Sequence, residues 1–291
     1  MTLKLIKEPK EQNVDYSVLD YFNDCPFNEM FNKGWFSSFF SGSLKDGKEN
    51  RDEIILKFVG SLNIQNFAMA YNRKSESVES KNTDTALMAW RIRVMNIASE
   101  EQIAEWDKSV LTKGFFSDLV NLSYLKEGPR LAKEFLNKAG IYFVVQEHLT
   151  GSHLDGCSML MPDGHPLIAL TLRYDRIDSF WFTLFHELAH VKYDLSEGNT
   201  AYFDDMTNEM SKEIEIRADK FANDMLISEE DWDSSHLSIK SSSLDVIEFA
   251  NRLRISPAIP AGRLRFQNNN YYIFTNLVGN GEVRKLFSAS L

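Results

Sequence analysis

The chain is poor in cysteine, in basic charge relative to acid, and in long apolar runs, and each shortage removes a class of function. Cys25 and Cys157 are the two cysteines among 291 residues. Two cannot build the disulfide framework of a small secreted scaffold or a thiolate zinc site, and they suit a reducing compartment. Lys and Arg number 32 against 42 Asp and Glu, for a formal net charge of −10. A chain whose main task is to grip phosphate backbones carries the opposite balance, so direct nucleic-acid binding is not expected. No stretch reaches the roughly 18 apolar residues of a membrane span. Residues 1–8 lack the apolar core and small-residue cleavage site of a signal peptide. The expectation is a cytoplasmic protein with no membrane partner.

What remains is ordinary globular usage, 43% apolar and 25% charged, in a length that fits one large domain or two modest ones. The pattern divides near residue 125. Residues 1–125 read as short helices joined by polar loops, with Phe22, Phe27, Phe31, Trp35 and Phe36 as core aromatics, and helices expected over 52–71 and 85–97. Residues 126–291 read as α+β. Pro129 opens a helix that Gly140 closes, 141–145 is β-branched and aromatic, and Pro162-Asp163-Gly164 is a turn between strands over 158–161 and 166–172. Asp178 or Ser179 is expected to cap an apolar helix running past Val191. A further helix is expected over 211–227, then a helical pair over 244–266 and a late strand over 271–274.

The apolar helix carries His186-Glu187-Leu188-Ala189-His190, an H-E-x-x-H. Residues four apart lie one turn above each other on one helix face, so two imidazoles can converge on one ion. Neutral imidazole suits zinc at about 2.0–2.1 Å with an open position for water. Glu187, beside the first ligand, can serve as general base, taking a proton from water as it attacks an amide carbonyl. The apolar flanks bury this helix, and buried histidines with a buried glutamate need a partner that a metal supplies.

A third protein ligand must come from elsewhere, since no third histidine stands six residues beyond His190. The next helix offers Glu213, Glu215 and Asp219. Glu215 and Asp219 share a face, whereas Glu213 lies two residues off it, and Ala218 and Ala222 are small enough for close helix approach. Glu215 is therefore the expected third ligand, and Asp219 the acceptor that fixes a histidine tautomer. Zinc is the expected ion, with Mn²⁺ or Fe²⁺ also suited to such a site.

These segments, with Met225-Leu226, Phe249-Ala250, Ile255-Ser256-Pro257 and Gly262-Arg263-Leu264, resemble the ImmA/IrrE family of zinc metallopeptidases. Phe31-Asn32-Lys33-Gly34-Trp35 resembles longer members with a HigA-related, antitoxin-like N-terminal region. The resemblance implies a zincin-like, gluzincin-type domain. It further implies site-specific cleavage of a helix-turn-helix repressor or antitoxin, encoded nearby, in a stress-response, mobile-element or toxin–antitoxin context. Two departures stand out: Arg217 replaces a frequent acid, and the N-terminal region shows no intact DNA-binding helix-turn-helix.

His165, Arg173, Tyr174 and Tyr202 are candidates for oxyanion stabilisation or substrate contact. The acidic segment 197–210 reads as a solvated connector. Arg252, Arg254, Arg263 and Arg265 read as a salt-bridging surface. The competing function is a non-proteolytic, antitoxin-like binding protein that uses the peptidase fold as an interaction scaffold.

Overall fold

The computed structural model describes residues 17–60, 81–150, 154–196, 201–202 and 209–287. It is mainly helical with one small sheet. In the first part, α1 (Ser17–Tyr21), α2 (Phe27–Asn32), α3 (Leu44–Glu49), α4 (Arg51–Gly60) and α5 (Lys81–Ser99) follow one another. The helix expected over 52–71 is described as far as Gly60, and its remainder lies outside the described residues. Then come α6 (Lys113–Asn121) and α7 (Gly128–Lys138), the strands β1 (Tyr142–Val145), β2 (Gly156–Leu160) and β3 (Pro166–Leu170), and α8 (Ile177–Tyr193). The two-residue β4 (Ala201–Tyr202) precedes α9 (Glu209–Leu226), α10 (Glu229–Ser235), α11 (Ser243–Leu253), α12 (Ala258–Gln267) and α13 (Arg284–Phe287). Among the described residues no helix is long and apolar enough to cross a membrane.

The sheet order is β1-β3-β2-β4. β1 runs parallel to β3, with Val144 opposite Ala169, while β2 is antiparallel to β3, with Ser158 opposite Ile168. The β2–β3 turn is the one its residues demand: Gly164 takes φ +86°, and the Met161 N–H donates to the His165 carbonyl at 2.8 Å. Gly140, at φ +77° after α7, lies so close to Glu105 that a Cβ would sit 2.7 Å from its carbonyl oxygen.

Strand alternation splits the core in two. Tyr142, Val144, Cys157, Met159, Leu167 and Ala169 point to the side covered by the N-terminal helices, where Phe22, Trp35, Phe36, Phe58 and Trp90 are buried. Ile141, Phe143, Val145, Ile168 and Leu170 point the other way, onto Phe180, Trp181, Leu184, Phe185 and Leu188 of α8. The aromatic N-terminal cluster therefore closes against strands that lie beyond residue 125.

Three local expectations change. Helix α8 begins at Ile177 behind Arg176, without a side-chain cap. Asp178 instead lies inside its first turn and receives the Arg176 guanidinium at 2.9 and 3.3 Å. Residues 271–274 form turns, not a strand: Asn269 and Phe274 have φ of +46° and +50°, and Tyr272 is 93% exposed. The aromatic side chains there favour a strand, but the Tyr271 carbonyl accepts from the buried Arg265 guanidinium at 2.6 Å. Nor are the four C-terminal arginines a single surface: Arg265 is buried, and Arg263 donates to the Ile227 carbonyl at 3.1 Å.

Candidate metal centre

Helix α8 is apolar around most of its circumference, so it lies against the sheet and carries its polar trio inward. His186 is 7% exposed, Glu187 1% and His190 0%. The partner helix α9 meets it through Ala218 and Ala222, both buried and four apart, whose small side chains permit close approach. One turn before Ala218 on that side, Glu215 is buried as well.

These three side chains converge. The Nε2 atoms of His186 and His190 are 3.0 Å apart, and Glu215 places Oε2 3.1 Å from His186 Nε2 and Oε1 3.8 Å from His190 Nε2. Among the described residues His186, His190 and Glu215 form the group able to hold a metal ion. Tetrahedral coordination with bonds near 2.0–2.1 Å sets donors about 3.3 Å apart, and the observed separations straddle that spacing.

The outer sides of both rings are fixed by carboxylates. His186 Nδ1 lies 2.9 Å from Asp219 Oδ1, and His190 Nδ1 lies 2.9 Å from Asp194 Oδ2. A carboxylate accepts, so each neutral ring keeps its proton on Nδ1 and turns an Nε2 lone pair toward the other ring. In that tautomer two Nε2 lone pairs would face each other at 3.0 Å, and among the described residues the buried Glu215 Oε1 has no hydrogen-bond partner. A cation between the three donors answers both deficits. The residues present fit a divalent metal.

Glu187 stands outside this donor group. Its Oε2 accepts from the Ser158 hydroxyl at 2.5 Å, and the same hydroxyl lies 2.9 Å from the Glu187 carbonyl. The carboxylate also lies against Gly156, where a Cβ would come 2.7 Å from Oε1. Strand β2 thus offers a glycine where the carboxylate passes and a hydroxyl where it stops.

The model of the family Peptidase U49 matches residues 177–253. No curated protein and no solved structure matches the chain. The matched segment opens at the first residue of α8 and closes at the last of α11, so it holds all three donors, and it supports a peptidase assignment. It carries that general assignment, not the narrower ImmA/IrrE one.

Asp194 and Ser158 were not among the expected site residues. Asp194 follows His190 by four positions, the same spacing that joins the two histidines, so helix periodicity alone could have found it. It also pairs with Arg217, whose guanidinium lies over the Tyr193 ring at 5.5 Å. Arg217, at the position where the resembling family often has an acid, thus pairs with the carboxylate that holds His190. No spacing in the sequence links Ser158 to Glu187, because that contact crosses from strand to helix.

The remaining candidates are dispersed. His165 sits in the turn at the far end of β2 from Gly156, with Nδ1 2.9 Å from the Gly140 carbonyl and its ring beside Tyr142. Arg173 and Tyr174 follow β3, the guanidinium 5.4 Å from the Tyr174 ring centroid and 3.9 Å from Asp155. Tyr174 is half-exposed and lines a cavity beside the centre. Tyr202 belongs to β4, its backbone opposite Ser158. The side chain of Tyr202 lies outside the described residues, as do 197–200 and 203–208 of the acidic connector.

Proposed function

We propose that the chain is a zinc-dependent endopeptidase of zincin type that cuts a specific regulatory protein in the cytoplasm. The observation that carries this reading is the convergence of His186, His190 and Glu215, with both outer ring nitrogens held by acids. A cation bound there supplies Lewis acidity toward the scissile carbonyl and makes water acidic enough to attack at neutral pH. Zinc is the first choice, and Mn²⁺ or Fe²⁺ would also suit these donors.

The protein's own residues do the rest. Asp219 and Asp194 hold the imidazoles in the Nδ1–H tautomer. Glu187 is the general base: it takes the proton of the attacking water and returns it to the departing amine. The Ser158 hydroxyl fixes one carboxylate oxygen, so that Glu187 meets the water in one orientation. In this reading residues 126–291 form the peptidase domain, and residues 1–125 form an interaction or regulatory domain. The motif resemblance to ImmA/IrrE enzymes points to a helix-turn-helix repressor or antitoxin, encoded nearby, as substrate.

The test is Glu187→Gln, which keeps shape and removes the base. We expect hydrolysis of casein, or of a helix-turn-helix regulator encoded next door, to fall about 10²–10⁴-fold, with bound zinc unchanged by elemental analysis. Undiminished cleavage would remove Glu187 from the mechanism.

A further inference from the structure

Beside the metal centre lies a cavity of about 640 Å³, within the roughly 300–1,000 Å³ range of sites that hold a ligand of several side chains' size. It joins the centre through Asp219, the acceptor of His186, and through Phe182, whose ring centroid is 6.3 Å from that of His186. Leu226, Ile227 and Ile259 supply apolar wall. Three aromatic residues stand around it with much of their surface in water: Phe266 is 71% exposed, Tyr174 50% and Tyr271 46%. Large aromatic faces left wet around a cavity gain most from being covered by another apolar group.

Charge decides which ligand chemistry fits. Both guanidiniums in the lining are already engaged: Arg176 grips Asp178, and Arg263 donates to the Ile227 carbonyl while lying 4.4 Å from the Trp232 ring centroid. The lining also holds Asp155 and Asp219. An anionic ligand would thus meet acids and no uncommitted arginine. Ile259, Phe266 and Tyr271 all lie C-terminal to the segment matched by the peptidase family, residues 177–253.

We propose that the cavity is the substrate-recognition subsite, taking bulky apolar side chains, aromatic ones above all, from the polypeptide next to the bond that is cut. This rests on the peptidase reading above. Recognition and chemistry then come from different stretches of one chain. Helices α8 and α9 hold the reacting groups, and α12 with the turn after it selects what reaches them.

The probes are hydroxamate-capped dipeptides that differ in one side chain, Phe, Leu, Ala or Asp, titrated calorimetrically into the zinc-loaded full chain. Phe should bind about 10–100-fold more tightly than Ala, Leu in between, and Asp most weakly. Phe266→Ala and Tyr271→Ala, both at exposed positions, should each cut the Phe-over-Ala ratio several-fold. Equal binding of Phe and Ala, tightest binding of Asp, or a ratio indifferent to both variants would overturn the subsite. Acetohydroxamate alone tests the metal separately, and if it fails to bind, the peptidase reading falls. The same dipeptides as amides, followed by saturation transfer to the Phe ring without metal, then judge the cavity alone. Transfer lost in Phe266→Ala supports it, and absent transfer sinks it.

Discussion

Cys157 and Met159 on one side of β2, and Gly156 and Ser158 on the other, alternate along four residues and face two different environments. The first pair enters an aromatic core built by the N-terminal helices, where Trp35, Phe58 and Trp90 are buried. The second pair faces α8 and ends at the Glu187 carboxylate. One face secures the sheet and the other holds the Glu187 carboxylate of α8. The difference teaches where each kind of residue is constrained. Volume matters on the N-terminal face, whereas hydrogen-bond direction matters on the α8 face.

The largest expected effect breaks the first face. Trp90 is fully buried and donates from Nε1 to the Gln146 carbonyl at 2.9 Å. Trp90→Ala should lower folding stability by about 3–5 kcal/mol in urea denaturation, while the molecules still folded keep their zinc. Loss of metal in that folded fraction would show the two faces to be coupled.

The next breaks the second face without touching volume. Asp194→Asn keeps the shape beside His190 Nδ1 and removes the charge. Zinc affinity should fall about 10–100-fold in a competition titration, with little change in the urea midpoint. The opposite pattern, a large stability loss with affinity intact, would make Asp194 structural.

The smallest effect sharpens the comparison at its seam. His148, just past β1, lies near the Lys33–Glu147 ion pair that ties the N-terminal helices to the sheet. Burial, with the positive charges of Lys33 and Arg173, pushes its pKa below the ordinary 6.5. The unfolded chain therefore takes up the proton first. His148 contributes stability that is complete above pH 6.5 and lost as pH falls through its folded pKa. An NMR titration should place that pKa below 6.5, and His148→Gln should flatten the stability profile just under that pH. A pKa at or above the ordinary value would contradict the assignment.

Much of this was legible in the sequence wherever a period or a turn residue acts locally. His186 and His190 at helical spacing, Glu215 and Asp219 on one face, and the strands bounded by Gly140 and by Pro162 to Gly164 all follow from such rules. What escaped reading depends on contacts across elements or on competition for a backbone group. Ser158 reaches Glu187 from a strand. Arg176 takes Asp178 away from capping. Arg265 binds the Tyr271 carbonyl and holds an aromatic, strand-like segment in a turn. Asp194 was readable, but only once the spacing that joins the histidines is carried one further turn.

The most direct measurement is zinc binding by the full chain, with Glu215→Gln beside it. One zinc per chain in the wild type, released by chelator, and an affinity at least about tenfold weaker in Glu215→Gln with the fold intact by circular dichroism, is the predicted result. A chain that takes up no stoichiometric metal, or one whose affinity is the same in both proteins, would contradict the account.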